Sequence, residues 1–221
     1  MRVWARVGGN KDKFYNILSL IISMNQKQVW NNIAEEWCEF KKLPAESTIK
    51  FLKKQKGNVL DFGSGSGRHL MKIKNGKMYL LDFSDKMIEL AKQNAKKENI
   101  DAEFAVSSMT KTPYENNFFD SAICISALHC LTNSEQKKAV KELYRILKPK
   151  AQVFIGVWNK DSKRLKRHKG KETLIKWGDK GERYYYLFDE KEVQSLFEKQ
   201  GFKILSSDNS EMMIRFTAEK I

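Results

Sequence analysis

The apolar positions of this chain switch between two periods along its length. Residues three and four apart predict helices over 28–40, 45–54, 68–73, 85–97, 134–147 and 189–200, while short continuous apolar runs predict strands at 58–62, 77–82, 102–107, 119–125 and 152–158. Pro44 leads into the second helix, which carries Ile49, Phe51 and Leu52 on one side, and Pro149 is expected to stop the helix at 134–147. Asp189 reads as an N-cap and Gly201 as a C-terminal stop. Two final strands, 202–206 and 212–218, joined by a polar turn at 207–210, read as an antiparallel hairpin. Strands alternating with helices of this length imply right-handed crossovers and a mainly parallel sheet covered on both faces, an α/β three-layer sandwich.

The length, 221 residues, suits one domain with a sizeable core, and 41% hydrophobic with 31% charged residues excludes collagen-like, membrane-spanning and largely disordered classes. Residues 1–26 read as an extension. The apolar run from Phe14 to Met24 is about half a membrane span and lacks a cleavage site, so it is either a helix packed on the domain or sequence upstream of a true start at Met24. Residues 27–221 then form the single domain. Cys38, Cys124 and Cys130 are odd in number and have no C-x-x-C spacing, which argues against a disulfide framework or a metal site made by this chain alone. A reducing, cytoplasmic setting is expected, with no membrane association.

The net charge is +14, from 41 Lys+Arg against 27 Asp+Glu. A total of this kind can reflect solubility alone. Its distribution is more informative: from Lys150 to Phe188 there are eleven basic and four acidic residues, and Lys160, Lys163, Arg164, Lys166, Arg167, Lys169 and Lys171 surround one acid, Asp161. Residues 159–181 read as a basic insertion that can reach phosphates.

The densest chemical signal is Asp61-Phe62-Gly63-Ser64-Gly65-Ser66-Gly67, a strand entering a loop with glycine at alternate positions. Such a loop lets backbone N–H groups approach a ligand, and a helix is expected to open from it. The spacing is neither the dinucleotide fingerprint nor a P-loop. Asp82, at the tip of the next strand, can accept hydrogen bonds from two ribose hydroxyls.

Together with the closing hairpin, these residues resemble the class I S-adenosylmethionine-dependent methyltransferases. The resemblance implies a Rossmann-like fold with a seven-stranded, mainly parallel sheet, one antiparallel strand and strand order 3-2-1-4-5-7-6. It also implies S-adenosylmethionine as cofactor, held by Asp61, Gly63, Gly65, Gly67, Asp82, Phe83, Ser108, Met109 and Ile125, with Ser108-Met109 at the adenine site. An acid usual after the third strand is replaced by Ser108-Met109.

A base N-methylation motif is absent after the fourth strand, where Ser126-Ala127-Leu128-His129-Cys130 stands, and Cys124 reads as core rather than as a C5-methylation nucleophile. A finer resemblance is to the tRNA wobble-uridine methyltransferases that esterify 5-carboxymethyluridine. It rests on Trp30-Asn31-Asn32-Ile33-Ala34 leading to Lys41, on Ala127-Leu128-His129, Gly156-Val157-Trp158 and Trp177, and above all on Arg183-Tyr184-Tyr185-Tyr186-Leu187-Phe188. Lys41 stands where that family often has Arg, and His129-Cys130 where it has His-His. The resemblance implies that His129, Arg183 and Lys41 orient the uracil and its carboxylate, that Trp158, Tyr184 or Tyr185 meets the base, and that Lys163, Arg164, Lys166 and Arg167 meet the tRNA backbone. It further implies a small zinc-binding activator subunit, which the exposed edge strand at 102–107 could receive. The competing expectations are a small-molecule methyltransferase and an inactive RNA-binding or activator protein of the same fold.

Overall fold

The computed structural model describes residues 11–165, 168, 170–210 and 212–221. Seven strands form one sheet: β1 (Lys56–Phe62), β2 (Lys74–Asp82), β3 (Ala102–Val106), β4 (Phe119–Ile125), β5 (Leu147–Trp158), β8 (Phe202–Asn209) and β9 (Met213–Lys220). Their order is β3-β2-β1-β4-β5-β9-β8; the first five run parallel, and β9 is antiparallel to both β5 and β8. This is the order expected from the resemblance. A separate antiparallel ribbon pairs β6 (Glu172–Lys176) with β7 (Glu182–Tyr186). The segment 159–181 therefore contributes a strand rather than only a basic loop.

Helices α2 (Glu46–Leu52) and α3 (Asp85–Lys97) cover one face through Leu52 and Ala91, which pack on Val59, Met78, Leu80, Ile123 and Phe154. Helices α4 (Asn133–Ile146) and α5 (Glu190–Glu198) cover the other, where Ala139, Leu143, Val193 and Phe197 meet Leu60, Phe62, Val153 and Ile155. Successive strand residues thus serve opposite faces, and central β4 is buried almost throughout. Local chemistry starts each helix. Ser84 Oγ accepts from the Met87 N–H at 3.1 Å, Thr132 and Glu135 form a capping box, and Asp189 accepts from the Glu192 N–H at 2.9 Å.

Helix α1 (Lys11–Phe40) runs unbroken through residue 26 and lies over the C-terminal ends of the strands, where Trp30, Ile33 and Ala34 pack with Met87, Leu165, Tyr185 and Leu187. Gln26 joins it to the ribbon: its Oε1 accepts from the Tyr184 N–H at 2.9 Å and its Nε2 donates to the Glu182 carbonyl at 3.0 Å.

Two sequence expectations are corrected. No helix forms over 68–73; after β1 the chain makes successive turns, with Gly67 N–H donating to the Ser64 carbonyl and Leu70 N–H to the Gly67 carbonyl. Leu70, Met71 and Ile73 all pack down on the α2/α3 face, which leaves this short crossover no helical stripe and no length to coil. Pro149 does not end α4 either. Leu147 already belongs to β5, and Pro149 sits near the start of that strand, where a missing N–H costs little.

Candidate active site

At the C-terminal ends of β1, β2, β4 and β5, roofed by α1 and β7, lies a cavity of about 370 Å³. Its floor is the glycine loop. Gly63, Gly65 and Gly67 all have positive φ (84°, 55° and 77°), and a Cβ on Gly63 would fall on the Ala127 methyl. The loop is held from below, where Gly63 N–H and Ser64 N–H both donate to the Leu81 carbonyl, at 2.8 and 2.9 Å. Asp82 clamps it to the next helix: one carboxylate oxygen accepts from Gly65 N–H at 2.9 Å and the other from Ser84 N–H at 3.0 Å.

Asp61, buried at the end of β1, has an Oδ2 with no hydrogen-bond partner. Burial pushes its carboxyl up to about 7 against the opposing pull of Arg68, and burial pushes Asp82 up to about 6 against its backbone donors. A buried carboxylate with a bare oxygen beneath a backbone cradle suits a ligand that brings cationic and polar groups. The acid end of the cavity therefore fits the sulfonium, ammonium and ribose of S-adenosylmethionine. Phe83, Ser108, Met109 and Ile125 line the same space, as does Ser126, whose positive φ of 61° turns the chain away from β4.

The opposite end is cationic. Burial and then the charges of Arg68, Arg164 and Arg183 push the Lys41 ammonium down; Lys41 just follows α1, Arg68 follows the glycine loop, Arg164 follows β5, and Arg183 lies on β7. The Arg183 guanidinium is buried under the roof, 4.8 Å from the Trp177 ring and 5.1 Å from that of Trp37. It donates to the Tyr185 hydroxyl at 2.7 Å and keeps an unpartnered Nε. Arg164 stands 5.6 Å above Trp158.

The sequence-selected residues fall into three groups. Lys41, His129, Trp158, Arg164, Tyr184 and Tyr185 line the cavity with Gly63, Gly65, Asp82, Phe83, Ser108, Met109 and Ile125. Asp61, Gly67 and Arg183 lie behind its wall, and Lys163 is exposed outside it. Lys166 and Arg167 lie outside the described residues. Trp158 and Tyr185 stack on each other, with centroids 4.2 Å apart and planes at 19°, and Tyr184 is buried with the sheet core. His129 is buried on the 3-10 turn Leu128–Cys130, and its Nδ1 accepts from the Trp158 N–H at 3.0 Å; burial lowers its pKa to about 3. Burial pushes the Cys124 thiol up to about 12 and raises Cys130 as well, so neither is poised as a thiolate.

Arg68 and His69 were not selected from sequence. Arg68 directly follows Gly67, and that adjacency was the available signal. His69 falls within the helix predicted over 68–73; with that helix absent it is buried against the cavity with an unpartnered Nε2.

Residues 59–150 match the methyltransferase-domain family model. Probable tRNA methyltransferase 9B of Mus musculus is 28% identical over 154 residues, 67% of this chain and 32% of that protein. A tRNA (carboxymethyluridine(34)-5-O)-methyltransferase of Arabidopsis thaliana is 34% identical over 101 residues, 45% of this chain and 24% of that protein. The chain thus spans about a third or less of the length of these two relatives. The solved complex between the Haloferax volcanii Trm112 methyltransferase activator and a methyltransferase contains a chain that superposes with TM-score 0.66 at 15% identity, covering 88% of this chain and 96% of that one. The glycine loop, Asp61 and Asp82 all lie within the matched residues 59–150, and the chain as a whole has the class I S-adenosylmethionine-dependent methyltransferase fold.

Proposed function

We propose that the protein transfers a methyl group to a carboxylate on a modified uridine of tRNA, a 5-carboxymethyl group at the wobble position. The observation that carries this reading is one cavity that joins Asp82 and the glycine loop, suited to a cationic cofactor, with the basic side chains of Lys41 and Arg164, suited to an anionic acceptor. When bound, S-adenosylmethionine supplies an electrophilic methyl group on sulfur. The chain's own residues bind and orient. Asp61, buried behind the glycine loop, acts on the cofactor's cationic part through its field, Asp82 meets the ribose, and the basic residues draw an anionic substrate.

A carboxylate is ionised at neutral pH, so no strong base is needed and positioning dominates. His129 suits that role. With Nδ1 accepting from Trp158, its neutral ring carries the proton on Nε2 and can donate one hydrogen bond to the carboxylate without the tight ground-state grip of a full salt bridge. Trp158 and Tyr185, already stacked, form an aromatic wall on which the uracil can lie. The named substrates of the tRNA methyltransferase relatives support the class of acceptor.

An activator subunit joins this reading through β3, the sheet edge, where Val106 is half exposed and the outer backbone groups are unpaired within the sheet. Labelled methyl from S-adenosylmethionine should enter tRNA bearing 5-carboxymethyluridine, alone or with the activator. Label that enters a small free acid but never such tRNA would refute the proposal.

A further inference from the structure

We propose that a second basic surface, separate from the 150–188 segment, carries the tRNA backbone away from the cavity along Lys50, Lys53, Lys54, Lys56, Lys72 and Lys74. The inference rests on tRNA being the substrate. Between Lys41 and Lys77 the sequence has ten Lys/Arg and two acids, Glu46 and Asp61, the second of which is buried.

The fold gathers these lysines on one side. Helix α2 starts at the cavity, which Lys41, Ala45 and Thr48 line. It turns Ile49, Phe51 and Leu52 inward, with Phe51 stacked on Phe154 at 5.5 Å, so Lys50 and the following Lys53 and Lys54 point to solvent. The crossover after the glycine loop does the same: Leu70, Met71 and Ile73 pack inward and leave Lys72 and Lys74 exposed. In the β1–β2 register Lys56 lies directly opposite Lys74. Like charges facing each other across strands are unfavourable, and no acid relieves them.

Some lysines elsewhere are neutralised while others, such as Lys92, Lys96, Lys138 and Lys141, are not among the described residues, so the track is set apart by its continuity with the cavity and not by unpaired charge alone. Lys77 meets Asp101 at 3.0 Å and Glu103 at 3.1 Å, Lys86 meets Glu89 at 2.8 Å, and Lys148 meets Asp120 at 2.6 Å. None of the six track lysines makes an ion pair among the described residues. The track is thus a row of unpaid like charge, continuous at one end with the cationic half of the cavity, which suits a polyanion that passes through the site. A bilayer is the poorer fit. Stable surface attachment needs apolar side chains along the charges; Phe40 and Leu43 are exposed at the cavity end, but no large apolar side chain is exposed beside the track lysines between residues 46 and 77.

The test compares two variants of equal charge on the full chain. One replaces Lys53, Lys54, Lys56 and Lys74 with Gln; the control replaces Lys92, Lys96, Lys138 and Lys141, which are exposed on α3 and α4. In the track variant KM for tRNA should rise about tenfold or more near 150 mM salt with kcat within about twofold, and the slope of log affinity against log salt should shrink by about 2 to 3. Cofactor affinity and thermal midpoint should stay at wild-type values, and the control should change KM by less than about threefold. Equal losses in both variants, no loss in the track variant, or a track variant that loses binding to phosphatidylserine vesicles while keeping tRNA would overturn the proposal. Wild-type protein that binds no tRNA would instead sink the functional reading beneath it.

Discussion

The main-chain N–H of Trp158 donates to Nδ1 of His129 at 3.0 Å, and this bond places the ring's proton on Nε2. Burial holds the imidazole neutral down to about pH 3. Catalysis through a fixed Nε2 donor should therefore show no imidazole titration between pH 5 and 8. His129→Asn keeps an acceptor for Trp158 but loses the donor, whereas His129→Gln keeps a donor near Nε2. A hydrogen bond to a charged group contributes about 1.5 to 3 kcal/mol. The Asn variant should lose on the order of 10- to 100-fold in kcat with an unchanged thermal midpoint, and the Gln variant should lose less. Wild-type rates for both would remove His129 from the reaction.

Asp61 connects stability to binding. Its carboxyl titrates near 7 in the folded protein against an ordinary value of 3.8, so the native state holds its proton more tightly than the unfolded chain does. The sign follows: the penalty is absent below about pH 4, grows as pH rises through 7, and is complete above. Asp61→Asn should raise the thermal midpoint at pH 8 and change it little at pH 4. The same variant should bind S-adenosylmethionine far more weakly, and in the wild type cofactor affinity should fall as pH drops below 7. Scanning calorimetry at the two pH values and calorimetric titration with cofactor measure both effects.

Gly63 is the tightest point of the loop. An added Cβ would meet the Ala127 methyl at a backbone φ of 84°, so Gly63→Ala combines overpacking with a left-handed conformation. The two together should cost about 2 to 5 kcal/mol. Adding Ala127→Gly removes the clash but not the strain, and should restore part of the denaturation midpoint. Full restoration would show that the conformation itself is tolerated.

What could be read in the sequence was whatever is local. Helix 85–97 and strand 119–125 coincide with the structure to the residue, because one has a cap and a clean stripe and the other a pure apolar run. The glycine loop and Asp82 were readable for the same reason, since their spacing along the chain is their geometry. The missing helix at 68–73 was not, because Leu70, Met71 and Ile73 suit an inward-packed crossover as well as a helical face. The cationic end was visible only in part. Arg68, Lys41, Arg164 and Arg183 come from four separate segments, and Gln26 reaches Tyr184 across 158 positions, an association that no local pattern encodes.

Two adjacent basic residues should behave differently. Arg164 lines the cavity and stands over Trp158, which stacks on Tyr185, whereas Lys163 is exposed outside the cavity. A guanidinium over an aromatic ring contributes packing as well as charge, so Arg164→Lys keeps the charge and loses the planar contact. Arg164→Lys and Arg164→Gln should both lower kcat for tRNA methylation, by about fivefold or more. Lys163→Gln should raise KM modestly and leave kcat alone, with a smaller effect at high salt because its contribution is long-range and screened. Steady-state kinetics at two ionic strengths separate these outcomes, and an Arg164→Lys variant with wild-type kcat would reduce Arg164 to a point charge like its neighbour.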